Sequence, residues 1–264
     1  MKSSFWIWQF LVCTILISCE AENEEKEFNE PDKNEHVIIT TPSDELREYY
    51  FPTEQFADTV VYHYLSKNGK QEMYWVMNSV EINNVLKFNT TVYTPDEKMG
   101  CRKIEFVSED ILTDGSHVTA YSEYKFDGAS RILEASGTIK ESLAFKWNQT
   151  TTEHLTWSAE QTIKENPAFL QQFSKTRSLI STDSTYVLNG DTLECAVFKD
   201  DIHIEVINQI SGKTSVSDFY QYSYYAQNTG MVRYVRTFQD NTSVEFYLNE
   251  IIDVSTWRKR CAEK

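Results

Sequence analysis

The chain is 264 residues long and carries 25 basic against 40 acidic residues, a formal net charge of −15. A field of that sign disfavours nucleic acid and anionic lipid surfaces as partners, since both are polyanions, and the largest basic cluster is Arg258-Lys259-Arg260. The length suffices for one sizeable domain with its own core.

Met1-Lys2-Ser3-Ser4 is a short positive start, followed by Phe5 to Ile17, apolar apart from Gln9, Cys13 and Thr14. That run has 13 residues. A helix crossing the roughly 30 Å hydrocarbon core needs about 20, so residues 1–18 are expected to be a cleaved signal peptide rather than a permanent span. Leu16-Ile17-Ser18-Cys19 resembles the bacterial lipobox, which implies cleavage before Cys19 and a lipid, of the palmitate type, on its thiol. An ordinary secretory signal with a chance cysteine is the alternative. Each buried methylene adds about 0.8 kcal/mol, so several acyl chains on Cys19 make a stable anchor. Loss of Lys2 with the signal takes the net charge from −15 to −16.

Residues 19–36 follow as a lipidated tether. Glu20 to Glu35 holds eight acids against Lys26 and Lys33, with Phe28 as its one aromatic. Such a segment cannot bury enough apolar area to offset its ordering entropy, and a disordered stalk is predicted. Acidic residues directly after a lipidated cysteine resemble the surface-export signal of Bacteroidetes lipoproteins. That implies the outer membrane, with the periplasmic and surface faces both open; a solvated spacer without sorting meaning is the other reading.

From about Val37 to the C-terminus the dominant signal is alternation of apolar residues with period two, broken by turn residues. Val60, Tyr62 and Tyr64 alternate before Lys67-Asn68-Gly69, and Met73, Trp75 and Met77 alternate towards Asn83-Asn84. Further strands run through Phe88, Phe106, Tyr124 and Trp147, and through Leu155, Trp157 and Ala159. Others hold Leu193, Cys195 and Val197, then Ile202, Ile204 and Val206, then Tyr220, Tyr222 and Tyr224. Turns of the Asn-Gly and Asp-Gly type at Asp114-Gly115, Asp127-Gly128 and Asn189-Gly190 favour tight hairpins. Strands this closely spaced are antiparallel neighbours, and about a dozen in one domain must curl. The expected fold of residues 37–264 is all-β, a single large antiparallel sheet forming a half-barrel or barrel. Asn166 to Phe173 reads as a short helix, with an N-cap, Pro167 at the first helical position and apolar residues spaced to one side. It is expected either to lid the concave side or to join the core, and a second short helix is expected near Trp257 to Ala262.

Tyr50-Phe51-Pro52 followed by Val61-Tyr62-His63-Tyr64, and Tyr224-Tyr225-Ala226-Gln227-Asn228-Thr229-Gly230-Met231-Val232-Arg233-Tyr234 near the end, are similar to stretches of many Bacteroidetes lipoproteins. The first-strand Gly of that group is missing here, with Ala57 and Asp58 near its place. The resemblance implies an open half-barrel like that of the periplasmic lipoprotein carriers, and carries over no catalytic residue.

Three cysteines remain after Cys19, an odd count that permits one disulfide in an oxidising compartment. Cys195 shares a strand face with Leu193 and Val197 and reads as a small buried hydrophobe, leaving Cys101 and Cys261 as the pair to form if any does. No Cys-x-x-Cys spacing supports a zinc ribbon or a thioredoxin-like site. Asp201, His203 and Glu205 project from one strand face and are the weak metal candidates. Residues two apart on a strand sit roughly 7 Å apart, so the three need a ligand from another strand to reach one ion; the alternative is a solvated face. A metal-dependent hydrolase, the third reading of function, requires that convergence at about 2.0–2.2 Å.

The other histidines, His36, His63, His117 and His154, are scattered, and no Gly-x-Ser-x-Gly elbow, phosphate-binding loop or His-Glu-x-x-His helix is present. No cofactor is implied, and a non-enzymatic role is expected. Trp75, Trp147, Trp157, Phe169, Phe173 and the ladder of Tyr220, Tyr222 and Tyr224 are the candidates to line a groove, although aromatics also suit an ordinary all-β core. Asp58-Thr59-Val60 and Asp191-Thr192-Leu193 resemble Bacteroidetes O-glycosylation sites, to which no function is attached. Two roles follow for a lipid-anchored envelope protein. One is a non-enzymatic carrier of an apolar ligand or partner protein in an aromatic concavity. The other is a surface-exposed structural or glycan-binding interaction protein with a filled core.

Overall fold

The alternation of side chains along the strands sets the architecture. A computed structural model describes residues 46–126, 132–188 and 190–263, all in one compact unit. The signal peptide, Cys19, the acidic tether and the Asp127-Gly128 turn lie outside the described residues. The strands are β1 (Val60–Ser66), β2 (Glu72–Ile82), β3 (Val85–Asp96), β4 (Gly100–Ile111), β5 (Gly115–Phe126), β6 (Ile132–Glu141) and β7 (Leu143–Lys146). They continue as β8 (His154–Ile163), β9 (Asn166–Leu188), β10 (Asp191–Asn208), β11 (Thr214–Ala226), β12 (Gly230–Phe238) and β13 (Ser243–Asp253). Every pairing among them is antiparallel.

The sheet order is β4-β3-β2-β1-β13-β12-β11-β10-β9-β8-β6-β5-β7, and β4 also pairs with β5. That last pairing closes the sheet. β7 takes Gly115–His117 of β5 while β6 takes Ser122–Phe126, so the two short strands share one place in a ring of twelve. Between the half-barrel and the barrel, the chain adopts the closed form. The β2–β3 turn sits where expected, with Asn83 and Asn84 both at positive φ, 53° and 62°, the geometry of a type I′ hairpin.

The helix expected over Asn166 to Phe173 is not formed. Those residues open the 23-residue strand β9, in which Leu170 to Phe173 pair with both β8 and β10 while Asn166 pairs with β8 and Phe169 with β10. The N-cap and proline signals are local, and the backbone hydrogen bonds to two neighbouring strands outweigh them. The C-terminal helix is present as α2 (Val254–Ala262), capped by the Asp253 carboxylate, which accepts from Thr256 N at 2.9 Å. α2 lies on the outer face of the barrel against β1, β4 and β13. Cys261 is bonded to Cys101 at the start of β4, and Gly100 makes room: a Cβ there would stand 2.0 Å from the Cys261 carbonyl oxygen.

Ahead of β1, a one-turn helix α1 (Leu46–Tyr49) and a 3-10 turn (Thr53–Gln55) carry Leu46, Tyr49, Tyr50, Phe51 and Phe56 into the main hydrophobic core. Phe51 packs among Tyr62, Trp75, Phe88 and Tyr225, which lie on strands from different parts of the ring. Tyr50 touches Phe145 and Trp147 at 5.0 and 5.5 Å. This segment is therefore a plug across one end of the barrel. Gly230, at φ 86°, is matched to it, because a Cβ would lie 2.4 Å from the Phe51 ring. Truncating the plug's central ring should be costly. Phe51→Ala is expected to lose about 3–5 kcal/mol, seen as a lower urea midpoint with little change in m-value.

Candidate functional site

The register places every second residue of β8 to β11 inside the barrel, and many of these are polar. On β9 the inward residues are Gln171, Phe173, Lys175, Arg177 and Leu179; on β10 they include Phe198, Asp200 and Ile202; on β11 they are Phe219, Gln221, Ser223 and Tyr225. Arg177 and Asp200 are directly paired across β9 and β10 and form a two-pronged ion pair. Nε donates to Oδ1 at 2.7 Å and Nη2 to Oδ2 at 3.1 Å. Arg177 Nη1 also donates to the Ala144 carbonyl at 3.3 Å. Lys175 Nζ stands 3.0 Å from Asp200 Oδ2, and Ser223 Oγ donates to the same oxygen at 3.2 Å. The guanidinium lies 5.2–5.5 Å from the ring centroids of Phe145, Phe198 and Tyr225, close enough for cation–π attraction. Burial opposes ionisation of Asp200, but the charges of Arg177 and Lys175 outweigh it and bring its carboxyl down to about 2.

Above this triad, Glu109 accepts from Tyr50 Oη at 2.7 Å and from Ser116 Oγ at 2.6 Å. Burial raises its pKa despite those bonds. Glu105, four residues earlier on β4, is raised by burial and by the neighbouring charge of Glu123. A further chain of contacts runs from Tyr121 Oη to Glu123 (2.8 Å), from Lys125 to Glu123 (3.2 Å) and to Gln171 (2.7 Å), and on to Gln161 (3.1 Å). The interior is thus apolar and plugged at one end and crossed by paired charges further along.

The aromatic candidates separate into two sets. Trp147, Trp157 and Phe173 are buried, and Trp75 packs partly buried against the plug. Phe169 lies half-buried on the Phe173 face of β9. None of the five is presented to a groove under a helical lid, since that helix does not exist. Tyr220, Tyr222 and Tyr224 do not belong to the interior: they alternate with the inward-facing Gln221, Ser223 and Tyr225 and so face outward. Their apolar pattern misleads because the inward positions here are polar, serving Asp200 and Arg236, whose guanidinium donates to Gln221 at 3.0 Å.

The outward set meets the weak metal candidates. Across β9 to β12 one row reads Thr176, Asp201, Tyr220, Thr237, and the next reads Ser174, His203, Asp218 and then Gln239. Together they line an open cleft of about 400 Å³. Asp218 accepts from Gln239 Nε2 at 3.3 Å and lies 2.6 Å from His203 Nδ1; Asp201 lies 2.9 Å from Lys199 Nζ, which stands 5.3 Å from the Tyr220 ring centroid. Glu205 falls one row further along, paired with Val216, and does not join them. Asp201, His203 and Glu205 therefore do not converge, and among the described residues no group of three or more His, Cys, Asp or Glu is placed to hold a metal ion.

Two clusters carried no sequence signal. The interior triad is scattered over β9 and β10. The second is His63, buried beneath α2 and stacked on Tyr74 at 4.6 Å, with Nδ1 3.0 Å from Glu250 and Nε2 3.5 Å from Glu72. Arg260 of α2 donates to Glu250 at 2.6 Å, and its hydrogen bond, with that of His63, lowers the Glu250 carboxyl to about 2. Pairing of alternate positions could have suggested the triad only with the register already known. Cys195 is buried and free, its thiol raised to about 11 by burial.

Asp200→Asn leaves two buried cations short of their counter-charge and is expected to cost about 3–5 kcal/mol at pH 7. The folded-state pKa of Asp200 lies below its unfolded value of about 3.9, so its contribution is full above that value and lost as pH falls through about 2. Urea curves of wild type and variant should converge only at that acid end. Glu105 behaves oppositely, since its folded-state pKa is raised. Glu105→Gln is expected to raise the melting temperature at pH 7–8, with the gain vanishing below about pH 4, where both states are protonated.

No family model matches the chain, and no curated protein matches it. Among solved structures it is similar to the crystal structure of a provisionally assigned lipoprotein from Parabacteroides distasonis, at 13% identity and a TM-score of 0.45, over 77% of this chain and 98% of that one. It is also similar to a provisionally assigned exported protein with a YmcC-like fold from Bacteroides fragilis, at 12% identity and a TM-score of 0.49, over 77% of this chain and 99% of that one.

Proposed function

We propose that the protein is a lipid-anchored component of the bacterial cell envelope that binds its partner on the outside of a filled barrel. It acts without catalysis and does not carry an apolar ligand within. The observation that supports this reading is the character of the interior. An acyl chain threaded past the Arg177–Asp200–Lys175 triad would meet buried charges whose hydrogen bonds it could not replace, and unpaired buried charge is costly. The plug of Tyr50 and Phe51 occupies the place an apolar ligand would need. The anchor at Cys19 and placement in the outer membrane rest on the signal and lipobox pattern; the lipoprotein and exported descriptions of the two similar structures agree with an envelope location.

Two measurements test this. Radiolabelled palmitate fed to producing cells should label the wild-type chain and not Cys19→Ser; equal labelling of both would remove the anchor. Residues 37–264, produced without signal and tether, should show no co-purifying lipid by native mass spectrometry and no saturable binding of a fluorescent fatty acid. A lipid bound at one per chain would restore the carrier reading and overturn this one.

A further inference from the structure

We propose that the outer cleft on β9 to β12 is a binding site for neutral carbohydrate, with Tyr220 as the stacking platform and Asp201, Asp218 and Gln239 as partners of sugar hydroxyls. The proposal rests on the reading that the partner is bound outside the barrel, and adds the class of ligand.

The cleft's construction supplies the first argument. Four adjacent strands bring two lateral rows into register, so seven strand side chains, joined by Gln239 of the β12–β13 turn, line one open cleft. A volume of about 400 Å³ falls within the roughly 300–1,000 Å³ typical of small-ligand sites. At 37% exposure, Tyr220 is the large aromatic that the cleft leaves open. A tyrosine face offers an apolar surface with a polar rim, the match for a sugar ring, which has C–H groups on one face and hydroxyls at its edge.

The polar side chains supply the second. Asp218 is oriented by His203 and Gln239, and Asp201 by Lys199. Each carboxylate has about four acceptor positions, so the contacts that fix its orientation leave capacity for ligand hydroxyls. Thr176, Thr237 and Ser174 add hydroxyls that both donate and accept. Fixed planar groups beside an aromatic suit a rigid polyol, because little ordering cost remains at binding.

The same residues exclude other ligands. Ile202, Phe219 and Phe238 also border the cleft, but they form the row between the two outward ones and Ile202 is buried in the core, so apart from Tyr220 the outward rows are polar and offer an acyl chain no continuous apolar track. Two carboxylates on a chain of net charge −15 repel a polyanion. For a divalent cation the cleft lacks a ligand set, since among the described residues no group of three or more His, Cys, Asp or Glu is placed to hold one. On the far side of the barrel α2 covers the outer face at β1, β4 and β13, and the cleft lies on strands outside that cover.

The test is isothermal titration calorimetry, with saturation-transfer NMR, of the intact chain in detergent micelles against maltotetraose, cellotetraose and N-acetylchitotriose. At least one should bind with a Kd of about 1 mM or tighter. Tyr220→Ala should weaken it about tenfold or more, and Asp201→Asn measurably, with thermal melting unchanged in both. Binding of none of the three, or binding indifferent to Tyr220→Ala, overturns the proposal. Saturable binding of zinc chloride that Asp218→Ala abolishes, with no sugar bound, overturns it in favour of a cation site. A lipid-filled barrel would count against external binding as the main role while leaving this titration to stand, so the two failures are distinguishable.

Discussion

Closing twelve strands into a ring creates an interior that the strands cannot fill with small side chains alone. About eight strands is the size at which inward side chains just pack the centre; larger rings enclose a ligand or water, or need an insert. Here the insert is the segment from Leu46 to Phe56, which brings four aromatic rings and a leucine to one end of the barrel. Its position depends on the strands around it. Tyr62 and Tyr64 donate hydrogen bonds to the carbonyls of Thr229 and Met231 at 2.7 and 2.6 Å, and these span the interior beside Phe51. Gly230, lacking a Cβ, lets β12 approach the same ring.

Further along, long polar side chains take over the filling. Arginine, lysine and glutamine reach across space that valine or leucine would leave empty, but each must find a partner once removed from water. That requirement explains why the groups occur as sets: Arg177 with Asp200 and Lys175, Glu109 with Tyr50 and Ser116, Gln161 with Gln171 and Lys125. Plug and network are coupled, because Tyr50 packs with the rings of Phe145 and Trp147 while its hydroxyl donates to Glu109.

How far this was legible in the sequence follows from the same division. Where the inward face is apolar, as in Val60 to Tyr64 or Met73 to Met77, period-two alternation identifies strand and face together. Where the inward face is polar, the alternation inverts or disappears. On β9 the inward positions 171, 173, 175 and 177 are Gln, Phe, Lys and Arg, which do not read as a buried face, and the local N-cap and proline made a helix of its first turn. On β11 the visible stripe of Tyr220, Tyr222 and Tyr224 pointed inward by pattern and lies outward in fact. Tyr50-Phe51 was legible as a shared feature of similar lipoproteins, but its role as a plug was not, because that depends on contacts with strands more than a hundred residues away. The pairing of Cys101 with Cys261 was reached by elimination; its purpose, holding α2 on the outer wall, needed the fold.

A strand that serves an interior network on one face presents its other face to solvent with a different composition, since alternate positions are chosen under separate constraints. β11 shows this most clearly. Gln221, Ser223 and Tyr225 meet the demands of Arg236, Asp200 and Arg177 inside, while Asp218 and Tyr220 face outward. The register that joins Asp200 to Arg177 on the inside also fixes Asp201 between Thr176 and Tyr220 on the outside, one residue away along β10. Slipping that register by one residue would exchange the faces, burying Asp201 and exposing Asp200. The buried ion pair, a poor source of net stability by itself, therefore sets the alignment that assembles the outer cleft. The charged interior and the polar exterior site are two consequences of one strand pairing.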